Sequence, residues 1–310
     1  MLNRREFLVA AGAWAALPRW ADASSLSRRG VYVAGTLAAT VARLGPSAFN
    51  VVNLAFLNAR VIKGKVRFHY RPLTGVRAAV RALQRDYPVK KKVLLSLGGW
   101  GNRVTFETAR AAGVAAFLEQ LDQEYVLPLG VDGIDLDLEP TTVAENTPAG
   151  WRAVHDELGA TLVALSNGYR RRHPGHLVTH APIASVAAEL YVRDGKLRGV
   201  QGPLLKAAPS IDWLNVQMYE AGDVQPSSIG DFYQRQLLQP LAAMGFGHPG
   251  EKLFPGFEPR WHQPRATCEA ALRSLHGVAR GAFVWDYRQI AADVAGWGRG
   301  LQQALESTPA

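Results

Sequence analysis

The chain has 310 residues, 48% of them hydrophobic and 20% charged, with a formal net charge of +9 and one cysteine. That length and content can bury a full-sized core as one domain, and a lone Cys268 excludes an intramolecular disulfide. The basic balance favours acidic partners, but the small clusters Lys90-Lys91-Lys92 and Arg170-Arg171-Arg172 come with no nucleic-acid motif, so no nucleic-acid partner is expected.

In chain order, residues 1–23 read first as an export signal. Paired Arg4 and Arg5 precede Phe7 and Leu8, an apolar run extends to Leu17, and Ala21-Asp22-Ala23 offers a small-residue cleavage site. The twin-arginine pattern predicts a periplasmic or secreted protein exported already folded. The apolar run is too short to remain as a membrane-spanning helix. Residues 24–310 are then one domain, because no linker, low-complexity tract or repeat divides them. Short apolar runs at 31–34, 51–57, 93–97, 131–139, 177–181, 211–219, 253–257 and 282–285 predict eight strands. Helical patterns fall between them at 76–85, 106–125, 151–169, 232–244 and 289–305, and Cys268 lies in another helical stretch as a packed residue. Eight βα units predict an α/β fold, a (β/α)8 TIM barrel whose chemistry sits at the C-terminal strand ends, where Gly98, Gly99, Glu139, Tyr219 and Trp285 fall. An open doubly wound sheet is the competing arrangement, and it lacks a Gly-rich loop after the first strand. Between Phe257 and Ala282 there is room for one loop and one helix only, so no α+β insertion is expected there.

The sequence concentrates its acid in Asp132-Gly133-Ile134-Asp135-Leu136-Asp137-Leu138-Glu139. Alternation along a strand puts Asp135, Asp137 and Glu139 on one face and Ile134, Leu136 and Leu138 on the other, with Asp132 left at the strand's start. Carboxylates about 6 to 7 Å apart disfavour one another's ionisation, which gives Glu139 a reason to hold a proton and donate it, with Asp137 taking up the changing charge. A hard-cation site and a solvated edge strand are the alternatives. The apolar face argues against the edge, and no nearby histidine or second acidic cluster completes a metal sphere.

These residues match DxxDxDxE, and the chain resembles the chitinase family of glycoside hydrolases, family 18. Ser96-Leu97-Gly98-Gly99-Trp100 resembles that family's SxGG motif and Gln217-Met218-Tyr219 its QxY motif. The resemblance implies hydrolysis of an N-acetylglucosamine-containing polysaccharide by a substrate-assisted retaining mechanism, without cofactor or metal. It implies catalytic roles for Glu139, Asp137, Asp135 and Tyr219, and substrate binding by Gln217, Trp285, Gly99, Trp100, Phe56 and Glu220. Tyr32 and Ser96 would brace the inner aspartates. Glu220 departs from the family's usual Asn or Asp. His180 is placed near the fifth strand end, pointing inward, as a satisfied histidine without a catalytic role. The alternatives are a related endo-acting N-acetylglucosaminidase on peptidoglycan or N-glycans and a non-catalytic sugar-binding barrel, the latter usually marked by loss of the catalytic acid, which this chain keeps as Glu139. A monomer is expected.

Overall fold

The computed structural model describes residues 27–35, 37–69, 75–184, 191–193, 196–198, 210–219, 229–243, 249–261, 264–275 and 277–306. The export segment 1–23 and Glu220 lie outside the described residues. Eight parallel strands close into a barrel: β1 (Arg28–Ala34), β2 (Val51–Ile62), β4 (Lys92–Gly98), β5 (Gly133–Asp137), β6 (Leu177–His180), β9 (Trp213–Gln217), β10 (Leu253–Phe257) and β11 (Gly281–Val284). Closure comes from β1, which pairs with β11 on one side and β2 on the other. The expected (β/α)8 TIM barrel is therefore the observed fold.

Strand alternation divides the core in two. Outward residues such as Val52, Leu95, Ile134, Leu136, Val178 and Val216 pack under the helices in the main hydrophobic cluster. Burying each such side chain contributes about 1.5–3 kcal/mol. Inward residues Val51, Leu94, Leu177, Trp213 and Phe254 form a second cluster that plugs the barrel's lower half. A glycine makes room for one of its large rings: a Cβ at Gly281 would lie 2.7 Å from the Phe254 ring.

Three residues just before strands tie the lower rim together. Asn50 Oδ1 accepts from the Arg29 amide at 2.7 Å, Asp132 Oδ2 from the Val93 amide at 2.9 Å, and Asp212 Oδ2 from the Val178 amide at 2.8 Å. Asp132 is thus a strand-start residue, away from the carboxylate row, as strand parity requires.

The helices are α1 (Leu37–Leu44), α2 (Val76–Arg85), α3 (Val104–Ala112), α4 (Val114–Leu121), α5 (Pro148–Arg172), α6 (Arg265–Ser274) and α7 (Val294–Glu306), with shorter turns between them. The single helix expected at 106–125 is broken at Gly113, whose φ of 82° and ψ of 126° end α3 and start α4. A π-helical turn (Asp122–Val126) continues α4. The helix expected at 289–305 is likewise two, Tyr287–Ile290 and α7. Three strands end sooner than the apolar runs predict: β5 stops at Asp137, β9 at Gln217 and β11 at Val284, so Glu139, Tyr219 and Trp285 stand one or two residues past the ladder. An unanticipated strand, β3 (Lys65–His69), folds back antiparallel on the upper end of β2. A small hairpin of β7 (Tyr191–Arg193) and β8 (Lys196–Arg198) follows β6. No described helix is long and apolar enough to cross a membrane.

Candidate active site

The carboxylate row occupies the barrel interior and its upper mouth. Asp135 is fully buried, Asp137 is 3% exposed and Glu139 is 6% exposed. Asp135 receives four hydrogen bonds from four different strands. Tyr32 Oη donates at 2.9 Å and Ser96 Oγ at 2.7 Å to Oδ2; Thr179 Oγ1 donates at 2.5 Å and Asn215 Nδ2 at 3.2 Å to Oδ1. A carboxylate has about four acceptor sites, so this one is saturated. Burial pushes its pKa up while these donors pull it down, and burial is the larger effect. Beneath it a chain of donors runs in one direction: Trp213 Nε1 to Asn215 Oδ1 at 3.0 Å, Asn215 Nδ2 to Tyr32 Oη at 3.0 Å, and Tyr32 to Asp135. Burial beside these carboxylates raises the Tyr32 phenol well above its usual range, so it stays a donor.

Gln217 spends both amide hydrogens inside the site, one on Asp137 Oδ1 at 3.2 Å and one on the Ala181 carbonyl at 2.9 Å. Its carboxamide orientation is therefore set by the barrel. The Asp137 carbonyl accepts from the Gly99 amide at 2.8 Å. Two glycines make this crossing possible. Gly98 and Gly99 have φ of 101° and 81°, a region costly for residues with a Cβ. A Cβ on Gly98 would fall 2.3 Å from the Asp137 carbonyl oxygen, and one on Gly99 would fall 2.4 Å from the Phe56 ring.

An aromatic group lies beside the carboxylates. Phe56 and Trp285 stack with centroids 5.4 Å apart at 24°, and Tyr32 meets Trp285 edge-on at 5.6 Å. Phe56, Trp285 and Tyr219 are half-buried against a cluster of Tyr32, Ala55 and Phe283. The structure thus gathers Asp135, Asp137, Glu139, Tyr219, Gln217, Trp285, Phe56, Gly99, Tyr32 and Ser96 at one end of the barrel. Trp100 stands apart from this cluster and is 41% exposed.

Two participants escaped the sequence reading. Thr179 and Asn215 supply half of the bonds to Asp135. Asn215 lies two residues before Gln217 on the polar side of its own strand, so parity marks it as inward-facing, but only the register of neighbouring strands brings it and Thr179 to Asp135. Parity also corrects His180. Because Thr179 points inward, His180 points out to α5, where its Nε2 lies 2.8 Å from Ser166 Oγ. Ser166 gives its own proton to the Leu162 carbonyl, so His180 donates from Nε2, and its Nδ1 has no partner among the described residues. It is not the satisfied histidine the sequence suggested.

A saturated buried aspartate, a second carboxylate held by an amide and a buried glutamate at the mouth of a closed parallel barrel define the general class of barrel enzymes that work through carboxylates. A family model described as Glycosyl hydrolases family 18 matches residues 25–288. The chain belongs to that family of glycosidases. No curated protein sequence matches it. Among solved structures it is similar to a putative chitinase A from Streptomyces coelicolor, with 19% identity, a TM-score of 0.58, and coverage of 91% of this chain and 99% of that one. The C-terminal domain of Legionella pneumophila ChiA is similar at 17% identity and TM-score 0.61, over 90% and 98% of the two chains. A family 18 chitinase mutant from Cycas revoluta, in complex with (GlcNAc)4, gives 17% identity and TM-score 0.59 over 90% and 99%. These likenesses concern the fold.

Proposed function

We propose that this glycosidase is exported and cleaves β-1,4-linked N-acetylglucosamine polymers, chitin or chitooligosaccharides, by substrate-assisted hydrolysis with retention. The observation that carries the reading is the buried row Asp135, Asp137 and Glu139, rising from a saturated inner member to a glutamate at the mouth. Glu139 protonates the glycosidic oxygen as the C1–O bond breaks. The sugar's own 2-acetamido oxygen forms a bond to C1, giving an oxazolinium ion, and Asp137 and Tyr219 orient and stabilise that group. Water then gives a proton to Glu139 and attacks C1, which opens the ring and restores the configuration. Asp135 anchors Asp137's surroundings, and Trp285 and Phe56 offer a flat floor to the apolar side of a pyranose. Gln217, Gly99, Trp100 and Glu220 complete the proposed substrate-binding set. The (GlcNAc)4 bound by the Cycas revoluta mutant is an N-acetylated chain of the kind this chemistry requires.

Reducing-end release from soluble chitooligosaccharides tests the reading. Glu139→Gln should lower kcat by roughly 10²- to 10⁴-fold, the usual worth of a general acid–base. Equal release by both proteins, or none by either, would remove the hydrolase assignment on this substrate and leave the endo-acting glycan hydrolases or a sugar-binding barrel.

A further inference from the structure

The β2–β3 hairpin carries more positive charge than its own fold can use. Arg60 and Arg67 are directly opposite each other across the ladder, with Ile62 opposite Lys65 and Asn58 opposite His69 on the same face. Like charges directly opposed destabilise a strand pair. The two-residue turn, Lys63-Gly64, has positive φ at both positions, 51° and 72°. A turn of that kind favours Asn or Asp before Gly, and lysine takes the left-handed region at a cost. Arg60, Lys63, Lys65 and Arg67 are all exposed, and none forms an ion pair among the described residues. The opposite face fixes the hairpin in place: Ala59 and Val66 are buried, and the Phe68 ring meets Phe117 at 5.1 Å and Tyr125 at 5.6 Å. Four uncompensated cations therefore stand on an anchored support.

The hairpin belongs to the active end of the barrel. β2 runs directly from Phe56, in the aromatic floor, to Arg60, roughly 13 Å further along the strand at about 3.3 Å per residue. Leu57 and Ala59 are buried in the main cluster, so Phe56, Asn58 and Arg60 share the other side of the strand. A sugar chain leaving the floor reaches the arginines within a few units.

We propose that this hairpin is an extended subsite for anionic substituents on the substrate, so that the preferred polymer is an N-acetylated glycan bearing carboxylate groups rather than a neutral one. This rests on the glycosidase reading above and adds a substrate class to it. Arginine suits the role because its planar fork pairs with a carboxylate through two parallel N–H donors. The face has alternating cations and one exposed aliphatic residue, Ile62, which is 43% exposed and fits the apolar side of a sugar.

Binding and turnover are measured separately on carboxymethyl chitin and on uncharged glycol chitin, with the wild type and the Arg60→Gln/Arg67→Gln double variant. The wild type should bind carboxymethyl chitin the more tightly. The double variant should lose about tenfold of that affinity, the size of one or two partly exposed charge contacts, and keep its affinity for glycol chitin. Raising salt to about 0.5 M should erase the wild type's preference, since screening then acts over a few ångströms. The variant's Tm should equal or exceed the wild type's, because a repulsive pair has gone, and kcat on neutral chitotetraose should not change. Unchanged affinity of the variant for carboxymethyl chitin would overturn the proposal. So would equally tight binding of dextran sulfate, which has no N-acetyl sugar and would mark a general polyanion surface. Absence of all turnover by the wild type would instead refute the proposed function, while the binding difference would still report on the hairpin.

Discussion

Asp135 has no acceptor site left for a substrate, and that decides what it can do. Its four donors come from β1, β4, β6 and β9, so it works as a joint between strands beneath Asp137. Replacing it by asparagine puts an amide N–H where a donor already points. Hydroxyls on Tyr32, Ser96 and Thr179 can rotate, whereas the Asn215 amide cannot. Asp135→Asn should therefore cost about 1–3 kcal/mol of stability, read by urea unfolding, through unpaired buried donors. It should also lower kcat more than it changes KM, since the altered group lies below the sugar. Glu139→Gln provides the contrast: at the mouth, it should lose turnover with little change in the unfolding midpoint. A result in which both variants lost stability equally would contradict the division between an inner joint and an outer acid.

Where α5 covers β6, the fold buries two histidines away from the chemistry. His155 is 4% exposed and shares a hydrogen bond of 3.0 Å with the Trp151 carbonyl; His180 is fully buried on Ser166. Burial lowers the pKa of His155 to about 4 and that of His180 to about 3, with each other's proximity adding to the effect on His180. Protonating His180 would place a new N–H on Nδ1, which has no acceptor among the described residues. The sign follows from which state binds protons first. Below the ordinary value of 6.5 the unfolded chain takes up protons and the folded one does not, so stability falls as pH falls from 6.5 towards 4. The loss is about 2–3 kcal/mol per histidine between pH 6.5 and 4.5. Urea midpoints should drop across that range, and His155→Gln should flatten the slope. A flat profile in the wild type would show that these histidines titrate alike folded and unfolded. At the same scale, β4 ends where it does because Gly98 and Gly99 turn the chain over Asp137 and against Phe56 at separations only glycine permits.

The whole molecule achieves its fold without a covalent crosslink. Cys268, the one cysteine, is buried, and burial pushes its thiol far above the ordinary range, so it is held as an unreactive packed group. A barrel stabilised by two hydrophobic clusters and a tied lower rim does not depend on an oxidising compartment. That agrees with the proposed export of a protein already folded. N-terminal sequencing of the exported form should begin at Ser24, and Arg4→Lys/Arg5→Lys should retain the protein inside the cell; unimpaired export of that variant would exclude the twin-arginine route.

By itself the sequence determined the eight strands, the face on which Asp135, Asp137 and Glu139 lie, and the glycines that crowd them, because period-two alternation and φ preferences are local properties of the chain. The family resemblance, rather than local patterning, pointed to Tyr32 and Ser96, which both donate to Asp135. Only tertiary structure decided that Thr179 and Asn215 complete the Asp135 cage, that His180 faces a helix, and that Gln217 turns its amide inward. Those outcomes depend on which strands become neighbours when the barrel closes, and on the shared need of buried donors and acceptors to find one another across segments far apart in sequence. The exposed cations of the β2–β3 hairpin fall between the two: each is plain in the sequence, but their opposition on one face exists only once the register is set.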